Sequence, residues 1–109
     1  MKILLDHNTP HQLRRVLSEH EVHTAAYLGW SELENGDLLE AAASHGYDMI
    51  VTCDQSIHHE QNLGRYDVTL LTITSGNWNV IRQNIGPIRD AIETAVRGEA
   101  NPVYLGPQA

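Results

Sequence analysis

Three aspartates stand where short apolar segments would deliver them. Asp6 closes the run Ile3-Leu4-Leu5, Asp37 lies early in NGDLLEAA, and Asp54 follows the run that ends at Thr52. Carboxylates brought together without a cation repel one another, and their pKa values rise. A hard divalent ion removes that conflict: Mg²⁺ or Mn²⁺ accepts carboxylate oxygens while keeping several waters. One such water can become a nucleophile toward a phosphodiester, and the ion offsets the charge that develops in the transition state. Asp6, Asp37 and Asp54 are therefore the candidate catalytic and metal-binding set. Each has a plainer use when taken alone. Asp6 and Asp54 suit turns or helix caps, and Asp37 would favour a helix N-terminus through the dipole. Their joint placement at corresponding ends of strands and a helix carries the expectation.

Histidines crowd the same segments. His7 and His11 are four residues apart, and His58 and His59 follow Asp54 closely. Imidazoles beside carboxylates would favour Zn²⁺, Ni²⁺ or Mn²⁺ over Mg²⁺. No compact metal signature such as HExxH accompanies them, so exposed or hydrogen-bonded histidines are the simpler expectation.

The elements that must position these groups alternate along the chain. Lys2 to Leu5 reads as a buried strand, and Thr9-Pro10 opens a helix carrying Leu13, Val16 and Leu17 on one face. Glu21 to Thr24 reads as a second strand, and Ala25 to Leu33 as a loop. Asn35 is a candidate cap for a helix with Leu38, Leu39, Ala42 and Ala43 as its apolar stripe, stopped at His45-Gly46. Asp48 to Thr52 is nearly all apolar and reads as a central strand. Asp67 to Thr74 is a fourth strand. Trp78, Ile81 and Ile85 share a helical face, Gly86-Pro87 breaks that helix, and Ile88, Ile92 and Val96 line the next. Val103 to Leu105 adds a short edge strand. This alternation predicts an α/β fold: one domain over 1–109, with a mainly parallel sheet and helices on both faces. In such sheets ligands sit beyond the carboxyl ends of the strands, where the connections diverge. Asp6 and Asp54 would then share one rim.

Composition narrows the partners. Asp and Glu outnumber Lys and Arg by 14 to 7, giving a net charge of −7, and Lys2 is the only lysine. A broad basic binding surface is disfavoured. Arg14, Arg15 and Arg65 are the best candidates for RNA backbone contacts, with Arg14 nearest the opening motif. Phe is absent, so Leu, Ile, Val and Ala must build the core. Cys53 is the only cysteine. It cannot form an internal disulfide, and the neighbouring carboxylate disfavours a thiolate, so a structural thiol is expected. No charged segment leads into a long apolar run; the expectation is a cytoplasmic protein with no membrane partner.

The opening MKILLD-x-N-x-P, the acid near residue 37 and IVTCD after a mid-chain strand together resemble the short PIN-like family. These are compact relatives of PIN-domain nucleases, including VapC-type toxins, and the similarity runs through almost the whole chain in the same order. The resemblance implies a PIN-like three-layer α/β/α sandwich and a Mg²⁺- or Mn²⁺-dependent ribonuclease site. Asp6 matches the family's first acid, Asp37 its helix acid and Asp54 the acid after the third strand. Asn8 matches the polar residue of the opening motif, and Thr52 the Thr two positions before the last acid. The chain departs from the pattern at His7, where the family usually has Glu. It departs again at Ser56 and Ile57, where a second Asp and a Phe usually follow. His7, Asn8, Thr52, Ser56 and Arg14 are thus expected around the acids or the substrate, Ser56 through a metal-bound water.

Two functions follow from the resemblance. One is a toxin-type metal-dependent ribonuclease, weakened by the missing acids. The other is a catalytically decayed PIN-like module that binds an antitoxin-like protein or a second copy of the chain. A receiver-like phosphoacceptor domain is a third possibility, with Asp6 and Asp54 at the acid positions and Thr72 or Thr74 at a later one. It lacks the lysine that receivers place after the fifth strand and the adjacent acids after the first.

Overall fold

Ile3, Leu4 and Leu5 are all fully buried, which requires cover on both sides of the strand that carries them. The computed structural model describes residues 1–54 and 66–105, and it supplies that cover. Strand β1 (Lys2–Leu5) lies inside a five-stranded sheet with β2 (Glu21–Thr24), β3 (Met49–Thr52), β4 (Thr69–Ile73) and β5 (Ala100–Val103). The order is β2-β1-β3-β4-β5, and every pairing is parallel. Side chains alternate across a strand. Ile3, Leu5, Met49, Val51, Leu71 and Ile73 therefore enter one apolar cluster, and Leu4, Ile50 and Leu70 enter the other.

Helices close both faces. Leu13 of α1 (Leu13–Val16), Ile81 of α4 (Trp78–Ile81) and Ile88 and Ile92 of α5 (Ile85–Thr94) complete the first cluster. Ala25 of α2 (Ala25–Leu28) and Leu38, Leu39 and Ala42 of α3 (Asn35–Ser44) complete the second. The result is a three-layer α/β arrangement. The expected neighbouring of the first and third strands is observed, with Ile3, Leu4 and Leu5 opposite Met49, Ile50 and Val51. No helix among the described residues is long and apolar enough to cross a membrane.

Several boundaries differ from those expected, each for a local reason. Helix α1 starts at Leu13 rather than at Thr9-Pro10, because Thr9 is tied down elsewhere: its amide donates to the Asp6 carbonyl and its hydroxyl to the Val51 carbonyl. The expected loop after β2 contains the one-turn helix α2, capped by the Thr24 hydroxyl accepting from the Tyr27 amide. Gly29 ends it at φ 77°, a left-handed conformation that glycine adopts without steric cost. Pro87 does not break a helix; it sits in the first turn of α5, where a missing N–H costs nothing. The break lies one step earlier, between Ile81 and Ile85. The edge strand runs Ala100–Val103 rather than 103–105.

Candidate functional site

The chain leaves β1 toward β2 on one side of the sheet, and β3 is laid down on the other side of β1. The tips of β1 and β3 therefore form the point where connections diverge, the place where open α/β sheets hold ligands. Asp6 stands on that tip and is only 4% exposed. A buried carboxylate needs donors, and Asp6 has them. Its Oδ1 accepts from the His7 amide at 2.8 Å and lies 3.0 Å from His7 Nδ1. Its Oδ2 accepts from the Thr52 hydroxyl at 2.9 Å.

Thr52, fully buried at the end of β3, is the centre of the arrangement. Its Oγ1 donates to Asp6 and accepts from the Asp54 amide at 3.0 Å. Asn8 Oδ1 lies 3.2 Å from the same hydroxyl and accepts from the Cys53 amide at 3.2 Å. The turns after β1 and β3 are thus stitched together through Asp6, Asn8 and Thr52. In register beside Thr52 on β4 is Thr72, whose buried hydroxyl has no partner among the described residues.

Two cavities have His7 in common. One, of about 370 Å³, is lined by Asp6, His7, Asn8, Thr9, Pro10, His11, Thr24 and Ala26. The second, of about 580 Å³, is lined by His7, Leu33, Glu34, Asn35, Gly36 and Asp37. Asp37 stands exposed in the first turn of α3 and lines the second cavity with His7.

The sequence-derived set is therefore only partly gathered. Asp6, His7, Asn8, Thr52 and the backbone of Asp54 form one hydrogen-bonded unit. Asp37 is not hydrogen-bonded into that unit and shares only the second cavity with His7. Arg14 lies apart: its Nε donates to the Val22 carbonyl, and it lines a third cavity with Arg15, His20 and His23. Ser56, His58, His59 and Arg65 lie outside the described residues.

A carboxylate offers about four lone-pair sites. Three on Asp6 are occupied by His7 and Thr52, which leaves one on Oδ2 for a cation. Among the described residues, no three His, Cys, Asp or Glu side chains are grouped so as to hold a metal ion. One lone pair is enough for Asp6 to give an ion a single oxygen, but among the described residues no two further ligands are grouped beside it as placed.

Cys53 is held beneath the site, its thiol 3.4 Å from the Ser75 carbonyl. Burial pushes the thiol pKa up; a hydrogen bond from Thr9 works against this, and the Asp6 charge reinforces it. The structural role expected for Cys53 agrees with this setting.

The His7–Asp6 contact was not foreseen from the sequence, which presented His7 as a departure from an acid pattern. Its signal was the adjacency of an acid and a histidine where a strand ends. Comparison with known proteins adds no relative: no family model matches the chain, and no curated protein or solved structure matches it significantly.

Proposed function

We propose that this chain is a PIN-like domain that cleaves phosphodiester bonds in RNA at the tips of β1 and β3. The observation that carries this reading is Asp6, a buried carboxylate fixed by Thr52 and His7 at the divergence point of the sheet and lining a cavity of about 370 Å³. A preorganised polar group at such a place is what a catalytic or ligand-orienting site requires. The order of Asp6, Asn8, Asp37, Thr52 and Asp54 along the chain, and its match to the PIN-like pattern, supports RNA as the substrate class. Mg²⁺ or Mn²⁺ would supply a polarised water if Asp37 and Asp54 closed on Asp6.

The test is cleavage of mixed RNAs by the purified chain and by Asp6→Asn. The amide can still accept from the His7 backbone and donate to Thr52, so the variant keeps the fold while losing the charge. Wild-type cleavage lost in the variant supports the reading; equal cleavage by both removes Asp6 from the chemistry.

A second reading is favoured by charge. With a net charge of −7, few cations are left for an RNA backbone. Arg89 is paired with Glu19, and Arg97 with Asp48 and Asp67. This surface suits a basic, antitoxin-like protein partner. Tight binding of such a partner by a chain that cleaves no RNA would select it.

A further inference from the structure

We propose that the cavity beside α1 and the edge strand β2 anchors RNA, with Arg14 and Arg15 holding a backbone phosphate at a distance from the Asp6 tip. The proposal rests on the RNA-cleaving reading above and names the part of the protein that grips the substrate's chain.

The argument turns on which cations are free. Arg89 is held by Glu19, and Arg97 by Asp48 and Asp67. Arg82 Nε donates to Asn79, and Lys2 Nζ to the His45 carbonyl. Arg14 and Arg15 form no ion pair among the described residues, and both line one cavity of about 380 Å³. Arg14 is also fixed in place. Its Nε donates to the Val22 carbonyl at 3.1 Å, which ties the guanidinium to the edge of the sheet. A guanidinium carries five N–H donors in a rigid fork. The others on Arg14 meet no acceptor among the described residues, and a phosphate can take two of them side by side.

The rest of the lining fits an anion. His23 is held by a 2.8 Å contact between its Nδ1 and the Tyr47 hydroxyl, with the two rings edge to face. Glu21 is the one acid of the wall and His20 its other imidazole. Two arginines against one glutamate leave the cavity one positive charge with both histidines neutral, in a chain whose net charge is −7. A phosphodiester brings one negative charge to meet it.

The cavity lies on the flank that leads to Asp6. The Arg14 amide donates to the carbonyl of His11, a residue lining the Asp6 cavity. On β2, His23 precedes Thr24, which lines that cavity too. Val22 and Thr24 are two residues apart, roughly 7 Å along a strand. The anchored phosphate is therefore a near neighbour of the one at the Asp6 tip. A phosphate contact fixes register and carries no base information, so the grip is independent of sequence.

The experiment is fluorescence anisotropy of a labelled single-stranded RNA with the full chain, at several salt concentrations and in excess EDTA. Arg14→Ala and Arg15→Ala should each weaken binding roughly tenfold on every sequence tried, the effect of one lost hydrogen bond to a charged group. Each should also flatten the plot of log affinity against log salt by about 0.7, the share of one phosphate on a single strand. Arg82→Ala, outside the cavity, should change neither. The Arg15 side chain makes no hydrogen bond among the described residues, so Arg15→Ala should keep the wild-type urea midpoint and its loss of binding is not unfolding. In cleavage assays both cavity variants should raise KM and leave kcat unchanged. Unchanged affinity and salt slope in both would overturn the anchoring site and leave the cleavage reading standing. Weakened binding in both, with no cleavage by wild type with or without Mn²⁺, would keep the anchoring site and refute the cleavage reading. A melting temperature raised by inorganic phosphate but not by RNA would assign the cavity to free phosphate and overturn the RNA anchor. Absence of RNA binding by wild type would refute both readings.

Discussion

Thr52 and Thr72 face each other in register on adjacent strands, both fully buried, and the same substitution should act on them in opposite directions. Valine replaces threonine at nearly constant shape and removes only the hydroxyl. At position 52 this strips Asp6 Oδ2 of its 2.9 Å donor and the Asp54 amide of its 3.0 Å acceptor. A hydrogen bond to a charged group contributes roughly 1.5–3 kcal/mol, and a neutral one about 1 kcal/mol. The Asp54 amide is partly accessible, so water recovers some of its share. Thr52→Val should therefore cost about 2–4 kcal/mol, within the ~5–15 kcal/mol that a domain of this kind possesses. At position 72 the hydroxyl has no partner among the described residues, and removing it should be neutral or stabilise by up to about 1 kcal/mol. Urea unfolding followed by circular dichroism reads both effects. With a slope near 1.5 kcal/mol per molar, the Thr52→Val midpoint should fall by roughly 1–3 M while that of Thr72→Val holds or rises. A Thr52→Val midpoint within error of wild type would refute the claim that Thr52 holds Asp6 in place. Thr52→Val in an Asp6→Asn background adds a stricter check. The two effects should be non-additive by about 1 kcal/mol or more, since they share one hydrogen bond.

Three further outcomes follow from the same geometry. Cys53, with its pKa raised by burial, should react with a disulfide reagent at pH 8 at least about tenfold more slowly than in urea-unfolded chain; equal rates would show that it is not shielded. Tyr47 is buried, and burial, followed by the Glu21 charge, raises its pKa above the ordinary 10.0. Above pH 10 the unfolded chain loses that proton first, so stability should fall as pH rises from there toward the folded value, and Tyr47→Phe should flatten the decline. His7→Glu combined with Ser56→Asp restores the acids of the PIN-like pattern and should bind Mn²⁺ more tightly than wild type in calorimetry; unchanged affinity would mean that these positions do not bear on an ion.

Much of the frame was legible because burial leaves a simple mark. The runs at Lys2 to Leu5 and Asp48 to Thr52 are apolar on both faces of their strands, and both proved to be interior to the sheet. Strand tips could then be placed, which puts Asp6 and Asp54 on one rim; Asn8 and Thr52 stand out only through the resemblance to the PIN-like pattern. What was missed depends on single hydrogen bonds that leave no periodic trace. One turn of helix after β2 exists because Thr24 caps it, and α1 starts late because Thr9 is bound to Val51. Gly86-Pro87 marks a helix end in most contexts, yet here Pro87 occupies the first turn of α5, where it is equally at ease. Arg14, a candidate for RNA backbone contacts on charge alone, directs its Nε to the carbonyl of Val22 and lines a cavity that contains none of the acids, a placement that no pattern in the sequence marks.

The lone pairs of Asp6 connect these observations to function. Each donor that fixes the carboxylate also withdraws an oxygen site from any cation, so orientation and ion binding compete on the same four positions. His7 takes two of them through its amide and its ring, where a glutamate at the same place would donate only the amide and add a carboxylate of its own. A histidine at this position, where the PIN-like pattern has an acid, gives Asp6 a hydrogen-bond partner in place of a second carboxylate. Whether the Asp6 tip binds an ion is therefore decided by its neighbours, and Mn²⁺ titration of wild type against His7→Glu is the measurement: tighter binding by the variant would show that the imidazole competes with the ion for Asp6, and equal binding would refute that competition.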